Sequence, residues 1–120
     1  MVDDAVRATA SRGLGTGLVR PRYIVEKALT GIGPEAALSP EADPLLRPFA
    51  TLPASIPTAQ QAALRQLAAR AVAEGIMPQR REWARFLRED YLPRAPETLG
   101  LVHRPGGREM YAYLVRGFTT

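Results

Sequence analysis

The large apolar side chains of this chain recur at steps of three and four residues, and nowhere does a run of β-branched residues alternate with polar ones. A period near 3.6 belongs to a helix with one face turned from water, whereas a half-buried strand needs a period of two. The sequence therefore predicts an all-α fold of four or five helices. Eleven prolines and ten glycines set the breaks between them.

Val2, Ala5, Val6, Thr9 and Ala10, behind the acidic pair Asp3 and Asp4, predict a helix over 2–12 that stops at Gly13. The run Gly13-Leu14-Gly15-Thr16-Gly17 resembles a phosphate-binding loop only loosely. Leu18 stands where a dinucleotide fingerprint has its third glycine, and no strand precedes it, so the run reads as a flexible turn. Pro21 opens a helix over 21–30, with Ile24, Val25, Ala28 and Leu29 as its stripe and Gly31 as its end. Between Gly31 and Pro57 the prolines at 34, 40, 44, 48, 53 and 57 predict an irregular connector with one helical turn around Leu45 and Leu46.

The clearest amphipathic pattern follows Thr58. Leu64, Leu67, Ala68, Ala71 and Val72 share one face, and Gln60, Gln61, Arg65 and Arg70 are left to water. Gly75 weakens the end of this helix and Pro78 predicts a kink or restart, after which Trp83, Phe86, Leu87 and Tyr91 define a helix over 79–91. Pro93 and Pro96 end it. A loop runs through His103 to Pro105-Gly106-Gly107, and Tyr111, Leu114, Val115 and Phe118 mark a last helical stripe reaching the final residues. A stripe that continues to the end implies that residues 1–120 are a partial helical domain.

Composition limits the chemistry. Alanine makes up about a third of the apolar side chains, so the core is thin. There is no cysteine, which removes disulfides and thiolate metal sites. One histidine, His103, cannot supply the two imidazoles of H-E-x-x-H, and none of Ser11, Ser39 and Ser55 sits in a G-x-S-x-G elbow. No catalytic, cofactor-binding or metal-ligating residue is therefore expected. The loop at His103, Gly106 and Gly107, with Tyr111 and Tyr113 beyond it, is the candidate for one side of a ligand cleft, against the plainer reading of an exposed loop. No apolar run approaches the length of a membrane span, and the acidic start is unlike a signal peptide, so compartment stays open.

The net charge of +4 comes from 16 basic residues, of which Lys27 is the one lysine, against 12 acidic. Arg81, Arg85 and Arg88 share a helix face opposite Trp83, Phe86 and Leu87, as a small Arg-rich nucleic-acid-binding module would require. Glu82 and Glu89 are spaced to pair with Arg85 and neutralise that face, which favours an ordinary solvated surface and makes nucleic acid the weaker reading. Trp83 and Tyr111 fall at core spacing and read as packing residues.

The ordered series Tyr91-Leu92-Pro93-Arg94-Ala95, Glu97-Thr98-Leu99-Gly100-Leu101, Pro105-Gly106-Gly107, Tyr111-Ala112-Tyr113-Leu114-Val115-Arg116 and Thr119-Thr120 resembles the bacterial family known as domain of unknown function 885, DUF 885. Arg22 to Leu29 after Pro21, and Pro78 through Tyr91, are similar to two of that family's helices. Two positions depart: Pro96 stands where arginine is common and Arg80 where an aromatic is usual. The resemblance implies a mainly helical parent several times longer, often exported or lipid-anchored, and similar to zinc metallopeptidases through an H-E-x-x-H helix downstream of the matched region. On that basis the chain is expected to be an internal fragment. It would supply scaffold helices or a cleft wall, with zinc held elsewhere in the full-length protein. Its expected partners are the rest of that protein, or a second copy through exposed apolar faces.

Overall fold

A computed structural model describes residues 2–119, with side chains from Asp4 onward; the Val2 and Asp3 side chains and Thr120, which entered the sequence reading, lie outside the described residues. Among the described residues the chain is helical without a strand, as the apolar period predicts. Its α-helices are α1 (Val2–Thr16), α2 (Arg22–Ala36), the single turn α3 (Arg47–Ala50), α4 (Thr58–Arg70), α5 (Met77–Phe86) and α6 (Gly107–Thr119). Contacts divide them into two compact units, Met1–Leu29 with Phe86–Thr120, and Thr30–Arg85.

Several helices outrun the breaks expected of their glycines and prolines. α1 passes through Gly13 and Gly15 and ends only at Gly17, whose φ of 75° is left-handed and cheap only for glycine. The glycine run is thus the last turn of a helix and its stop. α2 likewise continues through Gly31, Gly33 and Pro34 to Ala36. A single glycine costs only ~1 kcal/mol in a helix interior, which packing can offset.

Pro78 does not restart the helix either. Residues Ala71–Ile76 form a π-helical segment in which the Met77 N–H donates to the Val72 carbonyl five residues back. A proline ring collides with the carbonyl four residues behind it in an α ladder, and the wider turn placed just ahead of Pro78 relieves that conflict. The same device recurs at Leu87–Tyr91, where the Leu92 N–H donates to the Leu87 carbonyl immediately before Pro93.

The first unit buries Val19, Val25, Phe86, Leu87, Tyr91 and Ala95. α1 packs against the Leu87–Tyr91 turn. The Phe86 and Tyr91 rings meet edge to face with centroids 6.1 Å apart. Each large apolar side chain so buried stabilises the fold by ~1.5–3 kcal/mol. Backbone ties close the unit: the Arg20 N–H donates to the Tyr91 hydroxyl at 2.8 Å and the Arg22 N–H to the Pro96 carbonyl at 2.9 Å. The second tie uses a backbone acceptor, so proline in place of arginine at 96 preserves it.

The second unit buries Ala36, Val72, Met77 and Ala84, together with one acid, Asp43. Its connector is more ordered than its prolines suggest. Pro40–Ala42 and Pro44–Leu46 are 3-10 turns, the second where the Leu45–Leu46 turn was expected, followed directly by α3. Proline removes donors from such a stretch and leaves its carbonyls in need of partners. Gln61 Nε2 donates to the Ile56 carbonyl at 2.9 Å, and Arg65 Nε to the Phe49 carbonyl at 2.9 Å. These two α4 residues, expected to face only water, strap the connector down. The α4 stripe is less used than its pattern implies: Val72 is buried, while Leu64, Leu67 and Ala71 remain exposed.

Candidate functional site

The buried acid marks where charge is handled inside the second unit. Asp43, 2% exposed, lies between the two 3-10 turns. Its Oδ1 accepts the Leu45 N–H at 2.9 Å, capping the turn that starts at Pro44, and its Oδ2 is paired with Arg80 Nη1. Arg80 Nε also comes within 3.9 Å of Glu35 Oε2. Next along α5, Arg81 Nε donates to the Ala36 carbonyl at 3.4 Å, at the end of α2 where a helix has carbonyls without intrahelical partners. A carboxylate with one oxygen on a backbone N–H and the other on a guanidinium is compensated and fixed, which suits holding a turn in place.

This arrangement also accounts for Arg80 at a position where the family resemblance led us to expect an aromatic: it is the partner Asp43 needs. Composition hid the pair because 37 residues separate its members. The cue available was Asp43-Pro44, an acid in the capping position of a proline-led turn.

The arginine face proposed for nucleic acid is largely engaged within the chain. Arg85 makes two contacts to Glu82, at 2.9 and 2.8 Å, as the helical spacing predicts. Arg80 and Arg81 are committed to Asp43 and the Ala36 carbonyl, and Arg88 is exposed. Trp83 is half-buried beside them, in keeping with a packing role.

The loop residues singled out for a cleft fall in the first unit. His103 ends the 3-10 turn Leu101–His103 and is exposed; Gly106 is exposed with φ 65°. Gly107 is buried, pressed so closely on the Leu101 carbonyl that a Cβ has no room. Tyr111 and Tyr113 stand on α6, 54% and 70% exposed. For Tyr111 the packing role expected from its spacing is not realised, because α6 is buried only at Gly107 and its other described side chains are exposed. Nearby, a cavity of about 540 Å³ is walled by Leu18 to Pro21, Ile24, Leu99 to Leu101, Arg104 and Met110. None of the five selected residues is in that wall.

Zinc chemistry, which the family resemblance implies for a full-length protein, does not fit the donors here. His103 is the one imidazole, and no group of three or more His, Cys, Asp or Glu among the described residues is placed to hold a metal. No helix among the described residues is long and apolar enough to cross a membrane.

Among the described residues, fold and buried polar groups define an all-helical protein whose one buried acid holds a turn. The chain belongs to the family described as bacterial protein of unknown function (DUF885), whose model matches residues 2–120. No curated protein and no solved structure matches it.

Proposed function

We propose that this chain acts as a non-catalytic scaffold or cleft-wall segment of a larger metallopeptidase-like protein, with hydrolytic zinc held outside residues 1–120. The observation that carries the reading is the use made of the buried carboxylate. Asp43 gives one oxygen to a turn amide and the other to a guanidinium, and at 2% exposure it is held away from solvent. A general acid or base needs a free lone pair or proton within reach of substrate. Membership of the DUF885 family over nearly the whole chain supports placing it in that larger context.

The remainder of the parent protein is the expected partner. α6 suits that role, since Tyr111, Leu114, Val115 and Phe118 lie along one side of it and all are exposed, Phe118 to 89%. Apolar surface of this kind lowers the free energy when another apolar surface covers it. The test is to give the purified chain zinc and a mixed peptide library. The expected result is neither stoichiometric zinc retention after dialysis nor peptide hydrolysis; a zinc-loaded, active chain overturns the proposal.

A further inference from the structure

The cavity in the first unit combines an apolar lining with two basic side chains. Leu18, Ile24, Leu99 and Met110 are each large, apolar and substantially exposed, and all four open onto it. Arg20 and Arg104 are its charged members; its wall contains no acid, and among the described residues neither guanidinium has an acidic partner. Cationic heads over an apolar floor match a ligand with one anionic end and a hydrocarbon body. One wall is also held in advance, since the Tyr91 hydroxyl accepts the Arg20 N–H at 2.8 Å. A preorganised site loses less freedom on binding.

From this geometry we propose that the cleft binds a medium-chain aliphatic carboxylate, its head between Arg20 and Arg104 and its chain along Leu18, Ile24, Leu99 and Met110. The side chains of the wall decide between an alkyl chain and a peptide. Apart from the two arginines they carry no hydroxyl, amide or imidazole. The amides of a peptide would lose water there without side-chain partners, whereas methylene groups need none. A volume of about 540 Å³ lies in the range of small-molecule sites. The inference stands apart from the scaffold reading, since it uses none of the residues that carry it.

The test uses the full chain and decanoate below its micellar range, with binding followed by calorimetry and by the methyl resonances of its three methionines. Saturable one-to-one binding is expected. Affinity should rise about two- to fourfold per methylene from hexanoate to decanoate. The Met110 methyl should shift while that of Met77, buried in the other unit, stays in place. The double variant Arg20→Gln/Arg104→Gln should weaken decanoate at least about tenfold and decanol by clearly less. If decanol binds the unaltered protein as tightly as decanoate, if the Met110 resonance does not move, or if an acetylated apolar dipeptide binds more tightly than decanoate, the proposal fails. The methyl readout on the unaltered chain keeps the test decisive even if the double variant is poorly folded.

Discussion

Asp43 illustrates how one residue can decide whether a proline-rich stretch is a connector or a packed turn. With Asp43→Ala, Arg80 loses its buried counter-charge and the Leu45 N–H loses its cap together. The loss should reach up to ~3 kcal/mol, less than for a fully buried pair because Arg80 is 21% exposed and keeps Glu35 within 3.9 Å. Urea denaturation should show that loss as a lower midpoint, and Asp43→Asn, which retains an oxygen for the Leu45 amide, should recover part of it. Gly107 makes a different demand. A Cβ there would run into the Leu101 carbonyl, an atom of the backbone that cannot swing aside. Gly107→Ala should therefore destabilise by more than ~2 kcal/mol in the same assay, although alanine is the better helix former. Pro105-Gly106-Gly107 reads as a breaker from sequence. Which of its glycines is sterically required follows only from the fold of Leu101 back over it.

At the scale of the element, apolar spacing located the helices well and placed their ends poorly. The helices expected at 2–12 and 21–30 run to Thr16 and Ala36, since an interior glycine costs a helix only ~1 kcal/mol. Pro34 inside α2 is the costlier exception, since it removes one hydrogen bond from the ladder. Pro34→Ala should raise stability by ~1 kcal/mol or more, read as an increased thermal midpoint. Pro78 announces a disturbance of the helix but not its form. The π turn that absorbs it depends on a Met77-to-Val72 hydrogen bond, and no local preference in Ala71 to Ile76 announces that five-residue reach. The Glu82–Arg85 pair was legible because both partners lie on one helix. Arg80–Asp43 was not, because its partners are distant in sequence.

Across the molecule, stability should be uneven. α6 buries only its first residue, whereas the Leu87–Tyr91 turn carries two buried apolar side chains and the Tyr91 hydrogen bond. Native-state hydrogen exchange should find the amides of 111–118 least protected and those around Leu87 to Tyr91 among the slowest of their unit. Equal protection in the two segments would show that α6 is covered in solution. The helical class, the absence of strands among the described residues, the pairing of neighbours on one helix and the shortage of catalytic donors were set by the sequence itself, since period and composition are local properties. Membership of the DUF885 family was readable from ordered motifs as well. The tertiary structure alone decided that Asp43 is buried, that Gln61 and Arg65 strap the connector, and that His103, Tyr111 and Tyr113 stand outside the cavity wall. Each of those outcomes depends on which surfaces meet after the chain folds back, and the one-dimensional period of a helix carries no information about its neighbours in space.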